Sequence, residues 1–303
     1  KNTLQFLTQP PTDTPRMNYK EKFTYKFLKF ISKHLNKVDN KRRILYTNVI
    51  AGFVYNFIPV RKRVALENIR TAFSQNDIKW VKKILKESYR ITIKNFIEFL
   101  SLPTIAKTSN FKVKNLDVLN DALSKDKGVI LVTGHYGLWE KWGSWLGVNG
   151  YGLSGIIQRQ SNKGSDLFFR EIRESYGMHQ VYKRSPLNEV YSLLKDNKIL
   201  ILASDQDAKN KGVVVDFFGK KTSVPKGAAI FHLKTKAALI FSVGTLDSNG
   251  DMTITFEAVY TKGNQSIQSI TQSYTRMLEL KISKNPDHYF WFHKKWKADY
   301  SLK

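Results

Sequence analysis

Cysteine is absent from this chain of 303 residues, which excludes disulfides, a thiolate nucleophile and any cysteine-ligated zinc. Acidic residues are scarce beside basic ones. Against 25 Asp and Glu stand 50 Lys and Arg, and the resulting formal charge of +25 implies an anionic partner. Nucleic acid, an anionic lipid surface or a phosphorylated substrate would each supply one. Gly and Pro are few, 17 and 8, and 42% of residues are hydrophobic, so the chain is neither disordered nor fibrous and can bury one sizeable core. No Gly-x-Ser-x-Gly elbow and no His-Glu-x-x-His pair occurs, and Gly219-Lys220-Lys221-Thr222 lacks the upstream glycine of a P-loop. A serine nucleophile of the hydrolase type, zinc hydrolysis and phosphoryl transfer thereby lose their main signatures.

What is present divides into three stretches. Residues 1–22 are polar, carry Pro10, Pro11 and Pro15, and read as a loosely ordered lead-in. They contain no apolar core of a cleavable secretion signal, so the expectation is a catalytic part in the cytoplasm. Residues 23–60 read as a membrane-associated helical segment. In Phe23 to Leu35, aromatics and leucines are interleaved with Lys22, Lys26, Lys29 and Lys33, as in a basic helix lying at an interface or packed on the domain. Ile44 to Val60 has no charge over 17 residues and is flanked by Lys41-Arg42-Arg43 and Arg61-Lys62-Arg63. That is short of the ~20 residues a spanning helix needs, so a monotopic element is favoured over a buried core helix.

Residues 61–303 read as one α/β domain. Ile78, Val81, Leu85, Tyr89, Ile93, Phe96 and Leu100 recur at helical spacing, so Asp77 to Leu102 predicts a long helix stopped by Pro103. Beyond it, short apolar runs (Gly128–Val132, Gly152–Ile157, Ile199–Leu202, Val213–Phe217, Ala238–Val243) alternate with amphipathic segments of helical length (Gly137–Leu146, Ser165–Tyr176, Pro186–Leu194, Gly227–Thr235, Gln265–Ile282). This alternation predicts a central, mostly parallel sheet flanked by helices. Asp251 to Ala258 alternates with period two, as an antiparallel strand near one edge does.

In such sheets the loops after the strands carry the chemistry. The first candidate loop is Thr133-Gly134-His135-Tyr136-Gly137-Leu138-Trp139-Glu140. On one helix His135 and Glu140 would lie about 140° apart, so they can meet only if His135 precedes or caps the helix, a turn that Gly134 and Gly137 permit. A carboxylate against one imidazole nitrogen would leave the other free to take a substrate proton, making a general-base dyad. Without a protein nucleophile, direct attack by an acceptor hydroxyl on an activated acyl donor is the simplest chemistry. The second loop, Gln158-Arg159-Gln160-Ser161-Asn162-Lys163, with Arg170 and Arg173 on the next helix, could hold phosphate or carboxylate. Arg170 and Arg173 can also be solvated helix positions paired with Asp166 and Glu174, and for Arg173 that reading is favoured. In the third loop, Ser204-Asp205-Gln206-Asp207, Asp205 could orient an Arg or cap a turn, and Val224-Pro225-Lys226-Gly227 opens a helix whose N-terminus could bind an anion. Tyr289 to Lys297 interleaves aromatics with cations and fits a nucleic-acid platform, a membrane belt or a core segment with snorkelling lysines.

Taken in order, Arg63-Val64-Ala65-Leu66-Glu67-Asn68-Ile69, His135-x-x-x-x-Glu140, Arg159, Ser204-Asp205-Gln206-Asp207, Phe217-Phe218-Gly219, Val224-Pro225-Lys226-Gly227 and Trp291 to Lys297 resemble the bacterial lipid A secondary (late) acyltransferases of the lysophospholipid acyltransferase superfamily. The resemblance implies an enzyme at the cytoplasmic face of the inner membrane. It would move an acyl chain from acyl carrier protein to a hydroxyl of a phosphorylated lipid A precursor, with no cofactor beyond the acyl-acyl carrier protein donor. His135 would be the base and Glu140 its orienting partner. Arg159 would serve the acceptor phosphate or the developing oxyanion, and Lys163, Arg170, Asp205, Gln206, Lys226, Gly227, Lys294 and Lys295 would make up the substrate-binding set. Two departures stand out: the family more often has arginines where Lys294 and Lys295 stand, and the N-terminal apolar region is short. Related enzymes acylate other glycolipids, lysolipids or aminolipids by the same chemistry, which is the alternative for the acceptor. Nucleic acid is not expected as a partner, because the basic residues are dispersed along the whole chain with no recognition motif.

Overall fold

The computed structural model describes residues 15–58, 60–102, 104–183, 185–260 and 265–296, so Pro10, Pro11 and Lys297 lie outside the described residues. Among the described residues four helices come first, α1 (Tyr19–Leu35), α2 (Asn40–Phe57), α3 (Lys62–Ala72) and α4 (Ile78–Leu100), followed by the short α5 (Thr104–Thr108). Strands and helices then alternate through β1 (Phe111–Lys114), α6 (Leu116–Leu123), β2 (Val129–Thr133), α7 (Trp139–Val148), β3 (Leu153–Ile157), α8 (Lys163–Ser175), β4 (Met178–Tyr182), α9 (Leu187–Lys195) and β5 (Ile199–Ala203). The hairpin β6 (Val213–Phe217) and β7 (Lys220–Val224), then α10 (Gly227–Thr235), β8 (Ala238–Leu246), β9 (Met252–Ala258) and α11 (Ile267–Lys284) complete it.

Seven strands form the central sheet in the order β1-β9-β8-β2-β5-β3-β4, and every neighbouring pair is parallel except β8 with β9. The parallel centre is apolar on both faces, as burial on both sides requires. In β2, Ile130 and Val132 pack towards α9, α10 and α11, while Val129 and Leu131 pack towards α6, α7 and α8. All four are essentially inaccessible, and each such side chain contributes ~1.5–3 kcal/mol by leaving water. The glycines of Gly150-Tyr151-Gly152-Leu153-Ser154-Gly155 have dinucleotide-turn spacing, yet the run enters β3 instead of leaving a strand for a helix N-terminus.

The predicted parallel sheet, its antiparallel β9 and the long α4, capped by Asp77 accepting from the Trp80 amide at 2.7 Å, are all present. The Val213–Phe217 run differs: it pairs only with β7, in a hairpin outside the main sheet. Its two-residue turn places Phe218 and Gly219 at φ +53° and +69°, both left-handed, which suits the strand twist of a tight hairpin. A phenylalanine there is unusual. Its amide is held by Glu279 at 2.9 Å, and its ring lies among Phe73, Phe217 and Trp291. Three strands carry little sequence signal. β1 is a four-residue edge strand, β4 mixes His179 and Gln180 into an edge position, and β7 opens with the exposed Lys220 and Lys221.

α1 packs on α8 and α2 on α4, so the N-terminal helices rest on the domain and present their other faces outward. Phe23, Phe27 and Phe30 on α1 and Leu45, Val49, Phe53 and Phe57 on α2 are each at least half exposed. Among the described residues, no helix is long and apolar enough to cross a membrane.

Candidate functional site

β2 and β5 are hydrogen-bonded neighbours in register, Thr133 opposite Ala203, so the loops after them emerge side by side. The Ser204 amide donates to the Thr133 carbonyl at 2.9 Å, which carries the pairing one residue past the strands. Two glycines then bring the loops together. A Cβ on Gly134 would lie 2.7 Å from the Leu278 side chain and 3.3 Å from the Asp205 Cβ, and one on Gly137, at φ +60°, would lie 2.2 Å from the Gly244 carbonyl oxygen. His135 falls between them, before α7 begins at Trp139, so it is not a helical residue.

The carboxylate that meets His135 is that of Asp205. Asp205 Oδ1 lies 2.8 Å from His135 Nδ1, and Oδ2 accepts the His135 backbone N–H at 3.1 Å. An ionised carboxylate can only accept, so Nδ1 carries the proton and Nε2 presents a bare lone pair. Burial lowers the imidazole pKa, but the charge and hydrogen bond of Asp205, with a smaller contribution from Glu140, overcome this and leave it above the ordinary histidine value. Asp205 is itself 2% exposed. Burial favours its neutral form, but His135, Lys295 and His293 outweigh that and hold the carboxyl far below the usual range.

Glu140 does not contact the imidazole as its partner. It occupies the second position of α7, whose first turn faces α8, and it takes Arg173 in a two-pronged ion pair at 2.5 and 3.1 Å. Both side chains are largely buried, at 16% and 13% exposure. Burial would draw the guanidinium down, but the Glu140 charge holds it firmly protonated. Arg173 is therefore an internal ion-pair partner; Asp166 accepts instead from the Gln160 amide, and Glu174 lies 3.9 Å from Arg170. One residue on, Lys141 pairs with buried Glu98 at 2.9 Å, which ties α7 to α4.

Lys295 is 2% exposed, with its ammonium donating to the Asp205 carbonyl and lying 4.6 Å over the Phe217 ring. Burial lowers its pKa to about 8 despite Asp205 and Asp207. Gln206 Nε2 lies 3.4 Å from His135 Nε2 and 2.9 Å from His293 Nε2. The cluster thus gathers His135, Asp205, Gln206, Lys295 and His293, the last given no role by sequence reasoning. Other predicted residues make different contacts. Arg159 is exposed and stacks 4.0 Å over Tyr182, Lys163 reaches the Arg16 carbonyl at 3.2 Å, and Lys294 is exposed. Lys226 and Gly227 open α10.

The segment after α11 is buried core rather than surface, with Tyr289, Trp291 and Phe292 inside. It is pinned to the site from several sides. The Phe290 amide donates to the His135 carbonyl at 2.9 Å, Arg61 donates to the Phe292 carbonyl at 3.1 Å, and Asn68 donates to the Trp291 and His293 carbonyls at 2.7 and 2.5 Å. Those contacts bring together short sequence pieces that lie far apart in the chain. The Trp139 and Phe290 rings flank the His135 imidazole at 5.4 and 6.2 Å. The arrangement can accept a proton at His135 Nε2 and stabilise the imidazolium that results.

A family profile described as bacterial lipid A biosynthesis acyltransferase matches residues 15–298. The phosphatidylinositol mannoside acyltransferase of Mycobacterium tuberculosis is 28% identical over 214 residues, covering 67% of each chain. That of Mycolicibacterium smegmatis is 30% identical over 195 residues, covering 62% of this chain and 63% of its own.

Proposed function

Because the chain belongs to the bacterial lipid A biosynthesis acyltransferase family, we propose that it transfers an acyl chain from an acyl carrier protein thioester to a hydroxyl of a phosphorylated membrane glycolipid. The observation that carries the mechanism is the unprotonated Nε2 of His135, oriented by Asp205 on Nδ1 at 2.8 Å. The acceptor hydroxyl gives its proton to Nε2 as its oxygen attacks the thioester carbonyl. Collapse of the tetrahedral intermediate breaks the carbon–sulfur bond, and the imidazolium returns the proton to the departing thiolate. Asp205 stabilises the imidazolium between these steps without itself taking the proton. No cofactor is required beyond the donor thioester.

Charge and the exposed helices support the proposed partners. The formal charge of +25 suits an acidic carrier protein, a phosphorylated acceptor and an anionic bilayer, where each Lys or Arg near the surface adds ~1 kcal/mol. The aromatic face of α1 and the apolar face of α2 would enter the bilayer interface, with the enzyme resting monotopically on the cytoplasmic face of the inner membrane. The acceptor is either a lipid A precursor or a glycosylated phosphoinositide like that named for the mycobacterial relatives. Purified protein on anionic vesicles, given labelled acyl-acyl carrier protein and each acceptor in turn, should label one of them, and His135→Ala should label neither. Failure of the wild-type chain to label either acceptor overturns the proposal.

A further inference from the structure

We infer that Gln206 is a catalytic residue of this acyl transfer: its side-chain N–H stabilises the thioester oxygen as negative charge develops there, and His293 holds the amide in place. The inference rests on the acyltransferase reading of the site.

The orientation of the Gln206 amide follows from its neighbours. Asp205 fixes the proton of His135 on Nδ1, so the Nε2 that faces Gln206 at 3.4 Å is an acceptor and must meet N–H rather than C=O. His293 Nε2 at 2.9 Å is the second acceptor. Burial is the main cause of a His293 pKa of about 4, so this ring is neutral and keeps a lone pair to offer at neutral pH. Both amide hydrogens are thus assigned, one to each imidazole.

When the acceptor hydroxyl binds, it donates its proton to His135 Nε2 and displaces one Gln206 N–H from that lone pair. The freed donor stays beside the atom that attacks. It then lies where an oxyanion donor must be, on the same reacting centre as the base. The carbonyl π electrons move onto oxygen as the new C–O bond forms, and return when the thiolate leaves with its electron pair. The rings of Trp139 and Phe290 beside His135 lower the local polarity, which strengthens such a donor.

The test is steady-state kinetics of the chain on anionic vesicles with acyl-acyl carrier protein and whichever of the two acceptors, lipid A precursor or glycosylated phosphoinositide, the wild type labels. Gln206→Ala should lower kcat by ~10²–10³-fold with KM nearly unchanged, the loss typical of one oxyanion donor. Gln206→Glu keeps the shape but exchanges the donor for a negative charge, and should be at least as impaired. His293→Ala should also lower kcat, and His293→Gln, whose Oε1 can occupy the acceptor position, should restore part of it. A Gln206→Ala protein with wild-type kcat, or one changed only in KM, overturns the assignment. An inactive wild-type chain would instead overturn the acyl-transfer reading, and this role with it.

Discussion

At the scale of single residues, His135, the proposed base, is tuned by a carboxylate 70 positions away in the chain. Asp205→Asn should reduce kcat by ~10⁴-fold, as loss of the orienting carboxylate does in serine-protease triads, by releasing the wrong tautomer. Its pH profile has a definite sign. Asp205 raises the His135 pKa, and the base works only when unprotonated, so activity falls as pH drops through that value. Without Asp205 the imidazole ionises less readily, and the acid limb of kcat/KM should move to lower pH; a limb that stays put would show another group in control. His135 itself could be read from the sequence because a strand-end histidine between glycines is a local signal. Asp205 could be located in its polar loop but not assigned to His135, since the register of β2 against β5 is not visible in residue spacing. Glu140, five residues along, drew the role by proximity in sequence.

At the scale of elements, Glu140 is a clamp. It joins α7 to α8 through Arg173, as Lys141 joins α7 to α4 through Glu98, and together they fix the helix that follows the His135 loop. Glu140→Gln should leave Arg173 buried without its counter-charge and cost ~3–5 kcal/mol of stability, measured by chemical denaturation. The double substitution Glu140→Gln with Arg173→Gln should cost clearly less than the sum of the two single changes. Equal and additive losses would mean that the pair does not act as a unit. The helices and the parallel strands were legible because their apolar periods run for several turns or residues. The β6–β7 hairpin was misplaced because an apolar run states that a strand exists, not which partner it takes. β1, β4 and β7 carry no such signal because short strands at a sheet edge or in a hairpin need little hydrophobicity.

For the whole molecule, the N-terminal helices are open in the sequence to two readings, interfacial or packed; the fold shows the packing, and the interfacial role is the one proposed above for the faces left outward. α1 is docked on α8 while Phe23, Phe27 and Phe30 face outward at 63%, 50% and 71% exposure. Replacing these three with Ser should weaken sedimentation with anionic vesicles by at least about tenfold, given ~1.5–3 kcal/mol for each fully inserted ring. The thermal midpoint should change little. Unaltered vesicle binding would remove α1 from the membrane face. Binding should also weaken with salt, because part of it is the pull of the basic side chains on anionic headgroups.

The pinning of the last core segment has a kinetic meaning. Asn68 and the His293 carbonyl it holds are 225 residues apart, so the wall that completes the site closes only when a very long loop has closed. Loop entropy makes such a contact slow relative to local helix formation. A chain growing on the ribosome would already display its apolar N-terminal helices while its base still lacked half its surroundings. On the proposed membrane role, attachment to a lipid surface then precedes competence, and an immature molecule waits at the membrane without consuming the proposed thioester donor.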